Sequence, residues 1–502
     1  MRTNLQRLMI VLGSIAAAIV IADGIYISSA QSNVTTGPSS SQSPYVVPSI
    51  PGAITKSILT VGDSVNNKPD GTPYRMVGIP DGLGAFDNGD GTFTVLMNHE
   101  LGQTSGIVRA HGATGAFVSK WTIRKSDLTV LNGEDLIQNI ATYTPNVGYN
   151  PPAKGIQLGR LCSATLAPAS AFYNAATGLG YNGRILTNGE ETGTEGRAFG
   201  HLIDGISYEL PYLGKFSWEN SVPNPATGNK TVVIGMDDGS PGQLYVYVGD
   251  KTNTGNPIER AGLSGGNLYG VRVNGVPLED RTTGIASGTP FDLYNFGNVA
   301  NRTGAQLELD SNANNVTRFL RPEDGSWDPQ NPNDFYFVTT DRFDTFKNPG
   351  TTQNPNTPPN QVGRSRLWRL RFIDATNPAL GGQLDMLLNG TEPQQMLDNI
   401  TVRRGQVFMQ EDPGNQPHVA KLWRYNIAGN NLNLVAEHDP NRFAPGAPNF
   451  LTQDEESSGI IDAAEVLGEG WYLLDVQAHY TIPGELVEGG QFLALYYPER
   501  RR

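Results

Sequence analysis

Short hydrophobic runs separated by polar, turn-forming residues dominate the chain. The runs are rich in β-branched and aromatic residues and are bounded by Gly, Pro, Asn or Asp, a pattern typical of strands between turns. They cover residues 92–97, 184–187, 231–234, 244–248, 268–273, 335–339, 367–372, 407–409, 422–425 and 471–474. No long segment shows clean helical periodicity, so the pattern predicts an all-β protein.

A weak internal repeat indicates how these strands are arranged. Leu-Tyr or Leu-Trp pairs recur at Leu244, Leu268, Leu367 and Leu422, and the last two follow runs that end in polar or acidic residues. Propeller blades have this order, because an inner strand delivers side chains to the channel and its neighbour carries a structural aromatic. We therefore predict a β-propeller of about six blades around a central channel. Residues 345–361 would form one of its long loop insertions. Because the repeat period is irregular, a pair of β-sandwiches is the alternative fold.

The N-terminal segment has the features of an export signal. Arg2 and Arg7 precede an apolar run over residues 8–22, and small residues at 28–30 suit cleavage. The apolar run is short for a transmembrane helix, with a retained membrane anchor as the alternative. We predict a signal peptide over residues 1–30, a flexible Ser/Thr/Pro-rich leader over 31–51 and a propeller domain over 52–502. The protein would be periplasmic or extracellular, with no membrane contact after cleavage.

Composition narrows the class of partner. The net charge of -13 argues against sequence-independent binding to nucleic acid or to an anionic membrane, and it leaves room for bound cations. We expect a monomer that acts on a small molecule. The single cysteine, Cys162, cannot form an internal disulfide bond. It is either a small buried hydrophobic residue or a thiolate ligand for a transition metal.

Acidic residues gather beside the predicted strands. They occur in Asn98-His99-Glu100, Glu190-Glu191, Trp218-Glu219-Asn220, Arg321-Pro322-Glu323, Gln410-Glu411-Asp412 and Glu455-Glu456. Each cluster alone is typical of a solvated surface. A fold that gathers strand ends around one axis would bring the carboxylates together, and clustered carboxylates need cations. Arg321 and Glu323 lie two residues apart, so an extended segment can pair an anion-binding guanidinium with a metal ligand. A surface ion pair is the alternative.

Several short motifs, taken in chain order, resemble the PhoX family of bacterial alkaline phosphatases, also described as the domain of unknown function 839 family. They are Asn98-His99-Glu100, Arg160-Leu161-Cys162-Ser163, Leu186-Thr187 before Glu190-Glu191-Thr192, Gly214-Lys215-Phe216-Ser217-Trp218-Glu219-Asn220, Met236-Asp237-Asp238, Arg321-Pro322-Glu323, Leu397-Asp398-Asn399, Gln410-Glu411-Asp412 and Gln477-Ala478-His479. The resemblance covers most of the chain after the leader.

The resemblance implies a propeller whose channel holds iron and calcium ions and hydrolyses phosphate monoesters outside the cytoplasm. By motif, Cys162 would be the thiolate on iron and Glu191 a carboxylate on the same metal group. Glu219 and Glu323 would be further iron or calcium ligands, and Arg321 would bind phosphate. Further candidates for the metal or phosphate site are Glu100, Glu190, Asp237, Asp238, Asp398, Glu411, Asp412, Glu455 and His479.

The chain departs from the family pattern at identifiable places. The family commonly has a second Cys just before the Glu-Glu pair and a His before the third-motif Glu, where this chain has Asn188-Gly189 and Trp218. The usual twin-arginine signal is also missing. These departures indicate a divergent subfamily. Two other functions stay open: a secreted propeller that binds partners and uses the carboxylates for structural calcium, and a calcium-dependent propeller lactonase or esterase.

Overall fold

The computed structural model describes residues 33–341 and 365–498, and strands dominate both ranges. Every run that the sequence predicts to be a strand overlaps a strand of the structure. The predicted signal peptide over residues 1–30 and the insertion over residues 345–361 lie outside the described residues. No helix in the described ranges is long and apolar enough to cross a membrane.

The long strands form six blades, of which the third and fourth share an outer strand, Thr289–Gly297. In each blade, the strand named first is the innermost strand, and the others follow outward from it. Blade 1 contains Pro80–Asp87, Thr92–His99, Phe117–Arg124 and Val130–Asp135. Blade 2 contains Thr165–Leu166, Ile185–Gly189, Ala198–Leu202, Ile206–Glu209 and Asn139–Ala141. Blade 3 contains Trp218–Pro223, Lys230–Asp237, Gly242–Asp250 and Asn267–Val273.

The second half of the ring is built in the same way. Blade 4 contains Pro322–Asp328, Asn331–Thr339, Arg366–Phe372 and Gly382–Leu388. Blade 5 contains Leu397–Arg403, Gln406–Glu411, Lys421–Asn426, Asn431–His438 and Val46–Pro48. Blade 6 contains Glu455–Asp462, Trp471–Ile482, Val487–Tyr496, Ile54–Thr60 and Val34–Thr36. The innermost strands of neighbouring blades contact one another all the way round, which closes a β-propeller.

Short elements decorate the ring. The minor strands are Ser64–Asn67 with Pro73–Arg75, Tyr143–Thr144 with Gly148–Tyr149, Tyr173–Asn174 with Leu179–Gly180, and Arg318–Phe319 against Gly242–Asp250. The α-helices are Pro257–Arg260, Gly304–Ala313, Pro440–Phe443 and Ala464–Leu467, and the 3-10 turns are Ala169–Ala171, Pro211–Leu213 and Pro378–Leu380.

The hydrophobic core consists of layers between adjacent blades. Successive side chains of a strand point to opposite faces, so an uninterrupted apolar run serves two layers at once. In blade 4, Phe335 and Phe337 pack toward blade 3, whereas Tyr336 and Val338 pack toward blade 5. Equivalent layers join the remaining pairs of neighbouring blades, including blade 6 to blade 1. The structure confirms the predicted propeller.

The inner strands differ from those the repeat predicts. The repeat predicts inner strands at residues 335–339 and 407–409, which precede Leu367 and Leu422. Both runs belong to the second strands of blades 4 and 5. The strands nearest the axis are Pro322–Asp328 and Leu397–Arg403, and each directly precedes the second strand of its blade in the chain. Polar residues interrupt both of these strands, because an inner strand faces the channel as well as its neighbours. The hydrophobic pattern is therefore weakest at the axis.

The prediction of a flexible leader is wrong for residues 33–51. Val34–Thr36 pairs in parallel with Ile54–Thr60, and Val46–Pro48 pairs antiparallel with Asn431–His438. The segment therefore supplies the outermost strands of blades 5 and 6. Tyr45, between these strands, is 2% exposed and packs edge-on against Phe443. Ile54–Thr60, which follows the segment, pairs with Val487–Tyr496 and so joins the two parts of the chain in blade 6.

Replacing Tyr45 with Ala is expected to destabilise the protein by about 3 kcal/mol, the usual cost of deleting a buried aromatic side chain. Urea unfolding followed by tryptophan fluorescence measures the change. Val34→Ala is the matched control, because Val34 belongs to the same segment but is 40% exposed. A Tyr45→Ala protein as stable as the Val34→Ala protein would contradict the account of the segment as part of the fold.

Candidate metal centre

Every blade delivers side chains to the same end of the channel, where its first strand begins and its second strand ends. The second residue of the first strand is acidic in five blades: Asp81, Glu219, Glu323, Asp398 and Glu456. In blade 2, Cys162 holds the corresponding place, one residue after the bridge between Leu161 and Glu190. A single structural position, repeated around the ring, therefore collects most of the candidate ligands.

An extra residue in the first strand accompanies this position in blades 1 to 5. In blade 1, Pro80 pairs with His99 and Leu83 with Met97, so three steps on the first strand match two on the second. Blades 3, 4 and 5 repeat the same bulge, and blade 2 has four steps against three. In blade 6 the bulge lies further along the strand, between Ser458 and Ile461. Bulges bend a strand and redirect its side chains, which turns the ligand position toward the axis.

A backbone hydrogen bond fixes a second ring of side chains. In each blade, the carbonyl of the residue two places before the channel ligand accepts the N–H of a residue near the end of the second strand, 2.8–3.1 Å away. The acceptor and donor pairs are Ile79 and Glu100, Arg160 and Glu191, Ser217 and Asp238, Arg321 and Thr340, Met396 and Asp412, and Asp454 and His479. Five of these donors are titratable, and all five line one cavity.

The cavity at this end of the channel has a volume of about 1050 Å³. Its lining includes Glu100, Arg160, Cys162, Glu191, Glu219, Asp238, Arg321, Asp341, Asp398, Asp412, Asp454, Glu456, Gln477, His479 and Glu488. Carboxylates outnumber cationic side chains in this set. A cavity with this balance of charge favours cations over anions.

Three groups of side chains bring potential ligand atoms within 4.8 Å of one another. Group 1 is Asp81, Glu100 and Cys162, group 2 is Glu219, Glu323 and Asp398, and group 3 is Asp398, Asp412 and Glu456. All of these residues are buried, and Asp398 belongs to two groups. A thiol with carboxylates suits iron, whereas all-oxygen groups suit calcium. The donor sets therefore fit a metal-binding site.

Hydrogen bonds from neutral side chains orient the three groups. Gln477 Nε2 lies 2.9 Å from Asp81 Oδ2, 3.2 Å from Glu100 Oε2 and 3.3 Å from Glu456 Oε1, so it connects group 1 to group 3. Ser163 donates to Glu219 Oε1 at 2.6 Å. Partners of this kind set the direction of ligand side chains before a cation binds.

Burial makes the carboxylates of the cavity costly to ionise. Burial and the neighbouring acids raise the pKa of Glu219, Glu323, Asp398 and Glu456 well above the usual range. Burial, with the charges of Asp81 and Glu219, also raises the pKa of the Cys162 thiol. Bound cations would offset this cost, because opposite charges favour the ionised form.

Arg321 is the cationic side chain at group 2. Its Nε lies 2.8 Å from Asp238 Oδ1 and 3.1 Å from Glu323 Oε1, and its Nη2 lies 3.1 Å from Asp238 Oδ2. The side chain is 18% exposed. The ion pair is therefore largely buried inside the cavity, and the sequence alternative of a surface ion pair is wrong.

Adjacent acidic residues divide between the cavity and the interior of the blades. Glu191, Asp238, Asp412 and Glu456 line the cavity, whereas their neighbours Glu190, Asp237, Glu411 and Glu455 do not. Glu190 pairs with Arg197, and Glu411 accepts a hydrogen bond from Trp423 Nε1 at 2.7 Å. Asp237 accepts from the Ser217 N–H, and Glu455 accepts from the Ala420 N–H. The structure gives these four candidates structural contacts away from the cavity.

Several cavity residues are missing from the sequence prediction. Asp81, Arg160, Gln477 and Glu488 all lie in or beside the cavity. Glu488 lies 2.6 Å from Nδ1 of the predicted residue His479. Asp81 stands in Pro80-Asp81-Gly82, which has the composition of an ordinary turn. The signal that could have found it is the acid at the second position of each first strand, which becomes visible only once the strands are aligned by blade.

Gly189 and Trp218 lie in contact with each other beside the channel. A Cβ atom at Gly189 would lie 2.3 Å from Cγ of Trp218, so the tryptophan ring leaves no space for a side chain at residue 189. Trp218 also stacks on Phe216. Asn188 donates to Asn98 Oδ1, and Asn98 in turn donates to the Cys162 carbonyl. Asn188 therefore supports the Cys162 segment through Asn98.

Metal-free protein is expected to lose stability as the pH rises from about 4 to about 8. Burial and the charge of Glu100 raise the pKa of Asp81 from 3.8 to about 8. Between these values the folded protein retains a proton that the unfolded chain releases, so the free energy of unfolding falls with rising pH. Urea unfolding at pH 5 and pH 8 in a chelator measures the slope. Asp81→Asn should flatten it, and an equal slope in both proteins would contradict this role for Asp81.

Comparisons with known proteins support the fold. No protein-family model matches the chain, and no curated protein matches it. Pseudomonas fluorescens PhoX, solved in complex with vanadate as a transition state analogue, has a TM-score of 0.62 and 13% identity over 90% of this chain and 97% of its own. At that identity, the likeness shows a shared fold.

Two further structures are less similar. A putative 6-phosphogluconolactonase from Bacteroides fragilis has a TM-score of 0.33 and 9% identity, over 81% of this chain and 99% of its own. A Trypanosoma rangeli sialidase in complex with the inhibitor DANA has a TM-score of 0.36 and 11% identity, over 89% of this chain and 60% of its own. Neither likeness is close enough to bear on the site.

Proposed function

We propose that this protein is a metal-dependent phosphatase that hydrolyses phosphate monoesters in the cavity described above. The observation that carries the proposal is the combination, in one cavity, of three buried ligand groups with the guanidinium of Arg321. Phosphoryl transfer needs positive charge on the phosphoryl oxygens and little covalent participation by the protein. The shared fold with the vanadate-bound PhoX supports this reaction class.

Cys162 and the carboxylates of group 1 would hold iron, and groups 2 and 3 would hold calcium. When bound, such cations neutralise negative charge on the phosphoryl group and activate water for attack. The donor chemistry supports this assignment, since sulfur is a soft ligand and an all-carboxylate group is hard. Glu191 lines the same cavity beside Arg160 and would complete the ligands near Cys162.

Arg321 would bind the phosphate group of the substrate. Its guanidinium already contacts two acidic residues, Asp238 and Glu323, in the arrangement that a planar fork makes with paired oxygens. A cation bound to Glu323 would weaken the attraction between the Glu323 carboxylate and the Arg321 guanidinium. The guanidinium can then direct its N–H groups to substrate oxygens, while Asp238 keeps it oriented.

The proposal includes an exported location and a monomeric protein. The N-terminal sequence supports export, because basic residues precede a short apolar run and small residues. Extracytoplasmic calcium would also be available to groups 2 and 3. The net charge of -13 supports a small-molecule substrate over nucleic acid.

A substrate panel separates this proposal from its two rivals. Metal-loaded protein should hydrolyse 4-nitrophenyl phosphate and leave bis(4-nitrophenyl) phosphate, 4-nitrophenyl acetate and simple lactones essentially untouched. Turnover of lactones or acetate alone would favour a calcium-dependent lactonase or esterase. A protein that hydrolyses none of these, yet is stabilised by calcium, would favour the binding module. Either result would overturn the phosphatase proposal.

A further inference from the structure

Arg160 occupies in blade 2 the position that Arg321 occupies in blade 4. Each arginine lies two residues before the channel ligand of its blade, Cys162 or Glu323, and immediately before the residue that bridges to the second strand. Both adopt a left-handed backbone conformation, with φ of 33° for Arg160 and 63° for Arg321. Both side chains line the cavity. The same backbone geometry thus presents two guanidinium groups from either side of blade 3.

The two arginines also have matching contacts. Arg160 Nη2 lies 2.5 Å from Glu100 Oε1 and 2.5 Å from Glu191 Oε2. Arg321 likewise contacts two acidic residues, Asp238 and Glu323, and Asp238 holds in blade 3 the position that Glu100 holds in blade 1. Glu100 belongs to group 1 and Glu323 to group 2, so each guanidinium shares an acidic partner with a ligand group. Both arginines are therefore anchored beside the cavity floor with charged hydrogen bonds.

Exposure separates the two positions. The Arg160 side chain is 50% exposed, compared with 18% for Arg321, so its guanidinium reaches further toward the cavity mouth. Within the described part of the chain, its contacts with Glu100 and Glu191 are made through Nε and Nη2. The cavity of about 1050 Å³ is of the size that holds a whole small molecule. The alcohol part of a substrate would therefore lie near Arg160.

The charges around the mouth favour one kind of alcohol. Asp454 and Glu488 are partly exposed acidic lining residues, and His479, the remaining basic group of the lining, lies against Glu488. A negative group on the substrate would be repelled along most of this wall and attracted at Arg160. A half-exposed, pre-oriented guanidinium is well suited to bind carboxylate or phosphate oxygens.

We infer that Arg160 forms a second anion subsite, which binds a negatively charged group on the alcohol part of a phosphate monoester. The inference rests on the proposed phosphatase function. It identifies the preferred substrates as monoesters that also carry a carboxylate or a second phosphate. Arg321 binds the phosphoryl group that is hydrolysed, and Arg160 selects what that group is attached to.

A matched pair of substrates tests the inference. 3-Phosphoglycerate and glycerol 3-phosphate differ only in a carboxylate that replaces a hydroxymethyl group. The metal-loaded protein should show a kcat/KM about tenfold higher for 3-phosphoglycerate, the size of effect that one charged hydrogen bond gives. Arg160→Gln should abolish that preference, so that the two substrates are hydrolysed with about the same kcat/KM at equal metal content. Arg160→Lys should retain part of the preference.

Controls distinguish a lost subsite from a damaged site. Arg124→Gln removes a comparably exposed, ion-paired arginine outside the cavity and should leave both substrates unchanged. Metal content is measured for every variant. Equal losses for both substrates in Arg160→Gln, or no loss for either, would overturn the inference while the phosphatase proposal stands. A wild-type protein that hydrolyses neither ester would instead contradict the phosphatase proposal itself, and this inference with it.

Discussion

Replacing Arg321 with Ala is expected to lower kcat/KM for 4-nitrophenyl phosphate by about 100- to 1000-fold, the range seen when a preorganised charge-stabilising donor is removed. The guanidinium is 18% exposed and is held by Asp238 and Glu323. Its charge therefore acts in a partly desolvated cavity, where electrostatic interactions are stronger than in water. Steady-state kinetics on metal-loaded protein measures the effect.

Two further variants show what the loss means. Arg321→Lys keeps the charge but loses the planar fork, and it should recover part of the activity. Arg272→Ala removes an arginine that pairs with Asp292 outside the cavity, and it should retain wild-type activity. Metal analysis of each protein excludes loss of the cations as the cause. If Arg321→Ala retained wild-type turnover with its metal content intact, Arg321 would not be the phosphate-binding residue.

Replacing Asp398 with Asn is expected to have the largest effect on metal content of any single change in the cavity. Asp398 contributes to group 2 and to group 3, so one substitution removes a carboxylate from both. A neutral amide oxygen is a weaker calcium ligand than a carboxylate. We expect loss of at least one bound calcium per chain and a loss of phosphatase turnover of 100-fold or more. Metal analysis after gel filtration, with turnover on the same sample, measures both.

The neighbouring blade provides a matched control for Asp398. Asp324 is also a buried aspartate of a first strand, but it accepts a hydrogen bond from Asn220 at 2.7 Å and belongs to none of the three ligand groups. Asp324→Asn should keep its full metal content. Equal metal content in the wild-type and Asp398→Asn proteins would show that the carboxylate shared between groups 2 and 3 holds no cation.

The sequence predicts the outer strands of each blade better than the strands at the axis. Residues 335–338 form an uninterrupted apolar run because both faces of their strand pack against neighbouring blades. Residues 367–372 keep four apolar residues, interrupted only by Arg369 and Arg371. The inner strand Pro322–Asp328 contains Glu323 and Asp324 and has no such run. The sequence fails to predict the N-terminal strands for another reason. Val34–Thr36 and Val46–Pro48 are stabilised by pairing with distant parts of the chain, which local composition does not reveal.

The sequence identifies individual residues of the candidate site, but it does not show how the strands orient them. The sequence finds Cys162, Glu191, Glu219, Glu323 and Arg321, and the structure brings all five to one end of the channel. It does not decide which member of an acidic pair faces the axis, because the answer depends on strand register and on the bulge near the start of each first strand. Burial alone does not distinguish the two interpretations of Cys162, because a structural thiol and a metal ligand can both be buried. Its position beside Asp81 and Glu100 is what favours a metal ligand.

Cations bound in this cavity are expected to make the protein a phosphatase. The most direct test is metal analysis of the protein purified from its exported, folded form, with 4-nitrophenyl phosphate turnover measured on the same sample before and after chelation. We predict iron and calcium bound to the protein, turnover that chelation abolishes, and recovery when both metals are returned. Calcium without iron and no turnover, or turnover that survives complete metal removal, would contradict the account.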